Sequence, residues 1–191
     1  ANYQGTINAD DIALINANNS GALGIAMTNG MTTGDGQHSA TLNINSNKDL
    51  TINGFDRGIL VDANNNLNMN IGGKVELKAG SVSNNYRGIN LGNLLFGTSG
   101  RKDIINFSLT ANDDINITDY KSGFLVSVGG NLTSTVTSQN GSINIINNSN
   151  SGDVGIDISE FSGAFSSKVN FNAGQNFVIQ NYDTGIKTVF K

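Results

Sequence analysis

The chain has 191 residues, with 24 Gly, 32 Asn, one His, no Cys, Pro or Trp, and a formal charge of −4. Without a thiol there is no disulfide scaffold, thiolate metal site or Cys nucleophile, and without Pro there is no collagen helix. No apolar run approaches the roughly 18 residues of a membrane-spanning helix, and no basic block invites nucleic acid.

The hydrophobic share of 37% and the low net charge argue against charge-driven disorder. The length suits one domain over 1–191. No signal peptide is visible, and the start Ala1-Asn2-Tyr3 without Met reads as a processed or excised piece.

Three short phrases return along the chain in a fixed order. The first is an apolar alternation, Ile12/Leu14, the period-2 mark of a strand with one buried face. The second is Gly before a large apolar residue, Gly24-Ile25, which opens another strand. The third is Leu42/Ile44, eight residues ahead of the next first phrase, Leu50/Ile52. The cycle continues through Gly58-Ile59, Leu67/Met69, Val75/Leu77, Gly88-Ile89, Phe107/Leu109, Ile115/Ile117 and Gly123-Phe124. It then runs through Ile143/Ile145, Gly155-Ile156, Val169/Phe171, Phe177/Ile179 and Gly185-Ile186. The Gly phrases are 34, 30, 35, 32 and 30 residues apart. The eight-residue offset occurs four times; Leu132/Val136 departs from it by about one residue.

Three strands per repeat, six times over, predict an all-β fold with little or no helix. The expected architecture is a single-stranded, right-handed parallel β-helix, a β-solenoid of five to six coils. At about 4.8 Å per coil the rod is roughly 25–30 Å long. Four residues into each first phrase come Asn16, Gly54, Ala79, Asp119, Asn147 and Asn181, mostly residues that tolerate the φ > 0 of a sharp corner. Phe55, Tyr120 and Tyr182 follow one residue later and should pack at that corner. Stacked Asn side chains can bond along the rod, so the Asn content reads as structural. The N-x-S/T sequons such as Asn106-Phe107-Ser108 follow from composition.

First-phrase starts are 38, 25, 40, 28 and 34 residues apart. The extra residues fall between the second and third phrases, near 27–40, 91–103 and 159–168. Stacked coils would send these three insertions out along one edge. They carry Met31, Leu94, Leu95, Phe96, Phe161 and Phe165, which either cover the flank of the rod or form an apolar contact surface.

The residues for chemistry are sparse. Asp11, Asp49, Lys74, Asp114, Ser142 and Asn176 precede the first phrase and read as a charge-balanced exposed column rather than an acid/base pair. Asp62-Ala63-Asn64-Asn65-Asn66 opens like a calcium loop, but Leu67 and Gly73 stand where Gly and Glu are required. His38 has no evident partner. Arg57 and Arg87 both precede the Gly of their coil, so they should stack. Asp56 would neutralise them, or a carboxylate or sulfate on a ligand would. The outward residues of the first phrase, Ala13, Thr51, Glu76, Asn116, Asn144 and Val178, are too irregular for an ice-binding array. No metal, cofactor or catalytic motif is expected.

Lys48-Asp49-Leu50-Thr51-Ile52-Asn53-Gly54, Asp114-Ile115-Asn116-Ile117-Thr118 and Ser142-Ile143-Asn144-Ile145 resemble coils of bacterial adhesins secreted by the type V routes. These are autotransporter passengers and filamentous-haemagglutinin-like exoproteins. The resemblance extends over most of residues 8–190 and implies an internal passenger fragment, a Gram-negative cell-surface or extracellular location, and a role in adhesion, aggregation or biofilm. The implied partners are a host-cell receptor, a glycan or another copy, with no membrane insertion of this stretch. A stiff rod would present the three insertions, or a polar Asn/Ser/Thr ridge, to a host surface or a neighbouring copy, and Arg57, Arg87, Leu94, Leu95, Phe96, Phe161 and Phe165 are the candidate contacts. A polysaccharide-processing β-helix enzyme and a purely structural stalk are the alternatives.

Overall fold

A computed structural model describes residues 2–18, 22–28, 39–62, 64–80, 86–92, 104–128, 130–160 and 166–190. Among them there is no helix. The first coil is β1 (Asn2–Ala9), β2 (Ile12–Ile15) and β3 (Leu23–Met27); the second is β4 (Ser39–Ser46), β5 (Leu50–Phe55) and β6 (Arg57–Val61). The third is β7 (Asn65–Ile71), β8 (Val75–Ala79) and β9 (Arg87–Leu91); the fourth is β10 (Ile104–Ala111), β11 (Ile115–Thr118) and β12 (Ser122–Val128). The fifth is β13 (Asn131–Ser138), β14 (Ile143–Ile146) and β15 (Gly152–Glu160); the sixth is β16 (Ser167–Ala173), β17 (Phe177–Gln180) and β18 (Tyr182–Phe190).

Strands from successive coils pair in parallel into three six-stranded sheets. Sheet A holds β1, β4, β7, β10, β13 and β16, the third phrases. Sheet B holds the first phrases and sheet C the Gly phrases. This is the expected parallel β-helix, with six coils and three strands per coil.

The apolar columns line up as the phrases require. Leu50, Val75, Ile115 and Ile143 are register partners in sheet B, all with no exposed surface. Ile59, Ile89 and Phe124 continue the core from sheet C, and Leu67 and Phe107 from sheet A. Phe171 meets Phe124 edge-on, with ring centroids 5.0 Å apart. The outermost described coils are covered on one side only, so Ile7 and Ile186 are 47% and 59% exposed although their column partners Ile44 and Ile156 are buried.

The recurring Gly has a packing cause. A Cβ on Gly24 would lie 2.5 Å from both the Gly58 carbonyl oxygen and Ile52 Cγ2. Gly58, Gly88, Gly123 and Gly155 meet the same kind of obstacle, the carbonyl of the next Gly in the column. None of these has positive φ; the backbone there runs too close to its neighbour for any side chain.

The left-handed corners are found at Gly54 (φ 85°), Asp119 (66°) and Asn181 (64°), three of the six expected positions. Asn16, Ala79 and Asn147 do not adopt that conformation; Asn147 instead serves its corner through its side chain. Tyr120 is fully buried at the corner, and Phe55 and Tyr182 pack against the core beside it.

The one-residue departure near Leu132 is a corner insertion, not a slipped strand. Three residues join the sheet A and sheet B strands in the coils of β4, β7, β10 and β16, whereas Gln139, Asn140, Gly141 and Ser142 join β13 to β14. The strand itself keeps register, with Ser134 opposite Phe107 and Val136 opposite Leu109.

Candidate functional site

The long connections all leave the same corner, between sheet C and sheet A, after β3, β9 and β15. Residues 29–38, 93–103 and 161–165 lie outside the described residues, and with them Met31, His38, Leu94, Leu95, Phe96, Phe161 and Phe165. The neighbouring outward positions of sheet C are described. Leu60, Asn90 and Leu125 are register partners that alternate with the inward Ile59, Ile89 and Phe124, yet they are 6%, 1% and 6% exposed. The outer side of sheet C is therefore covered at its middle coils.

Arg57 and Arg87 stand at the edge of that covered region and are direct register partners, one strand spacing of about 4.8 Å apart. Both are half-buried. Asp56 does not pair with either guanidinium, although it adjoins Arg57 in sequence. No carboxylate of a described residue lies within ion-pair distance of the two. The Asp56 Oδ1 atom is buried without a hydrogen-bond partner.

Burial, and then the charge of Arg57, lower the pKa of Arg87, with Asp157 partly offsetting both. Asp157 is itself engaged by Lys187 at 3.7 Å and by the Ser159 hydroxyl at 2.8 Å. Two adjacent like charges with little opposition form a place where an incoming carboxylate or sulfate would be stabilised by charge-assisted hydrogen bonds.

The acidic column does structural work. Asp11 Oδ1 accepts the Asp49 N–H at 3.2 Å, Asp49 Oδ1 the Lys74 N–H at 2.9 Å, and Asp114 Oδ1 the Ser142 N–H at 2.6 Å. Each carboxylate thus caps a backbone donor of the next coil. At the preceding corner the Asn47 amide, and then Lys48, hold the exposed Asp10 carboxyl below the usual range. The calcium-like stretch is likewise occupied. Asn65 donates to the Met27 and Asp62 carbonyls, and Asn64 accepts the Ile104 N–H. Among the described residues no three His, Cys, Asp or Glu side chains gather into a metal site.

The outer side of sheet A is different. Three side-chain columns run along it. One reads Gln4, Thr41, Asn66, Asn106, Thr133, Lys168; the next Thr6, Asn43, Asn68, Ser108, Thr135, Asn170; the third Asn8, Asn45, Asn70, Thr110, Thr137, Asn172. Lys168 is the one charged side chain among these 18 positions, and none of the 18 is apolar.

In the first coils the carboxamides bond in ladders. Asn45 donates to Asn8 at 2.8 Å, Asn70 to Asn45 at 3.1 Å, and Asn106 to Asn66 at 2.7 Å. Asn45 and Asn66 use one N–H and one lone pair each, Asn8 only accepts, and Asn70 and Asn106 only donate, so every ladder Asn keeps unused hydrogen-bonding capacity. The outer side of sheet B mixes Ala13, Thr51, Glu76, Asn116, Asn144 and Val178, as its sequence column indicated.

The expected polar Asn/Ser/Thr ridge thus lies on sheet A, a placement the apolar phrases alone did not give. Its signal is the polar half of the third phrase, Thr133-x-Thr135-x-Thr137 and Asn66-x-Asn68-x-Asn70. No protein-family model, curated protein or solved structure matches the chain.

Proposed function

We propose that this chain is a non-enzymatic β-helical segment of a bacterial surface adhesin, in the manner of a type V secreted passenger, that mediates adhesion to cells or association between copies. The observation that carries this reading is the outer side of sheet A, where every coil presents carboxamides or hydroxyls in the same three columns. A single exposed carboxamide or hydroxyl contact contributes little, but contacts repeated along one rod act together through effective concentration. The Arg57–Arg87 pair adds a second contact, suited to a carboxylate or sulfate of the partner.

A polysaccharide-processing enzyme is disfavoured because Asp11, Asp49 and Asp114 already cap backbone donors and are not poised as an acid and a base. The test is adhesion of beads coated with the chain. Coated beads should clump or bind cell surfaces, and Arg57→Gln with Arg87→Gln should lower that binding severalfold where the partner is anionic. Beads that neither clump nor adhere, or release of sugar from a polysaccharide by the chain, would sink the proposal.

A further inference from the structure

We infer that β10 and β13 carry a binding site for an uncharged polysaccharide, laid along the rod on the outer side of sheet A. The inference rests on the adhesive reading above and names its ligand class. It starts from a change in the columns. The Asn ladders of the first coils give way at the fourth and fifth coils to Ser108, Thr110, Thr133 and Thr135. These side chains are exposed or half-exposed, and among the described residues none of the four makes a side-chain hydrogen bond. Beside them Thr137 accepts from Asn172 at 3.2 Å and Asn106 donates to Asn66 at 2.7 Å, so the free hydroxyls adjoin side chains that are already engaged.

The strands beneath are held on both sides, β10 by β7 and β13, and β13 by β10 and β16. The hydroxyls are therefore fixed in a flat grid, about 4.8 Å from coil to coil and roughly 6.6 Å from one outward residue to the next. A pyranose ring advances a chain by about one coil spacing, so successive rings can present hydroxyls to successive coils. The free groups donate and accept, as sugar hydroxyls do.

The chemistry narrows the occupant. Lys168, the register partner of Thr133 on the next coil, is the one charge beside the four hydroxyls, and Ile104 is the one exposed apolar side chain on the outer side of β10. A single cation and a single isoleucine are too little to hold an acidic chain, a lipid or a hydrophobic peptide along the whole grid. The flanks of both strands are already paired, which closes the face to an added strand. The three described columns, five strand spacings long, offer roughly 500 Å² with side-chain margins, short of the ~800 Å² per partner of a stable protein interface. A second copy of the chain is thus a poorer fit than a narrow neutral chain. With no aromatic on the face each ring is held by hydrogen bonds alone, and tight binding requires many rings.

The test is retention of the purified chain on cellulose and chitin, two neutral insoluble polysaccharides, with heparin and polygalacturonate beads as anionic controls. Retention on a neutral polymer should persist in high salt. It should fall at least about tenfold in the variant Ser108→Ala, Thr110→Val, Thr133→Val, Thr135→Val, which removes four hydroxyls and keeps β-branched residues in the strands. Thr133→Ser with Thr135→Ser should retain binding, and Thr133→Lys serves where the fourfold variant melts early. Retention unchanged by loss of the hydroxyls, retention on the anionic beads only, or no retention on either neutral polymer overturns the site. Beads that adhere to cells without retention on these polymers overturn the site but leave the adhesive reading standing. Hydroxyl-dependent retention without adhesion does the reverse.

Discussion

The Gly column offers a matched pair of substitutions. In Gly88→Ala the new Cβ would stand 2.5 Å from the Gly123 carbonyl oxygen and 3.2 Å from Tyr120 Cδ2, and would overlap the Ile117 Cγ2 methyl. Ile117 can turn a methyl aside. The Gly123 carbonyl cannot retreat, because β12 is paired to both β9 and β15 and the core lies behind it. Overpacking of this kind costs typically 1–3 kcal/mol, and an obstruction by backbone belongs at the top of that range, about 3 kcal/mol.

Gly185→Ala changes the same residue type in the same column, on the last coil, where the added Cβ meets nothing within 4 Å. Its main effect is to restrict the unfolded chain, so it should be neutral to stabilising by up to about 1 kcal/mol. Urea unfolding followed by far-UV circular dichroism separates the two. With an m-value of about 3 kcal/mol/M, Gly88→Ala should lower the midpoint by roughly 1 M, while Gly185→Ala leaves it in place or raises it. Equal midpoints would refute the packing explanation and leave the recurrence of Gly without one.

Burial raises the phenol pKa of Tyr120, and burial followed by the Asp119 charge raises that of Tyr182, both well above the ordinary 10.0. The folded-state value exceeds the unfolded one, so the stabilisation is intact below pH 10 and is lost above it, at up to about 1.4 kcal/mol per pH unit for each tyrosine; Tyr120→Phe should flatten this limb in urea titrations run across that range. Asn147 is 1% exposed, donates to the Tyr120 carbonyl at 3.0 Å and accepts from the Ser149 N–H and hydroxyl at 3.0 and 2.7 Å. Asn147→Ala should lower stability by about 3 kcal/mol; a loss below about 1 kcal/mol would show that the corner holds without it. Ser134 Oγ is fully buried without a partner, so Ser134→Ala should raise the urea midpoint by the equivalent of about 1 kcal/mol, and a lower midpoint would point to an internal water satisfying the hydroxyl.

The strands were legible because a half-buried strand writes its alternation into the sequence, and stacking forces the same alternation to return once per coil. Ser134 shows where that legibility stops. It fills an inward position opposite Phe107, but its polarity hides it from any search for apolar pairs. Gly141 in turn is one extra corner residue, which from sequence alone resembles a slip of the strand. The Arg57–Arg87 stack was readable from its position relative to Gly, but its lack of an ion-paired carboxylate among the described residues was not, since Asp56 is adjacent in sequence and turns elsewhere. The outer side of sheet A required the register of all six strands. Residue by residue Asn and Thr are ordinary surface choices, and only their alignment makes a surface with a single charge, Lys168.

The ladders also bear on how such a chain folds. Partners bonded between neighbouring coils lie one turn apart, 25 residues from Asn45 to Asn70 and 40 from Asn66 to Asn106. That separation is set by the coil and does not grow with the number of coils. Each added turn closes a loop of similar length at similar entropic cost, and relative contact order falls as more turns are added. A completed turn presents the edges of three sheets together and so templates the next. A chain delivered one end first can therefore fold as it emerges, without waiting for its far end.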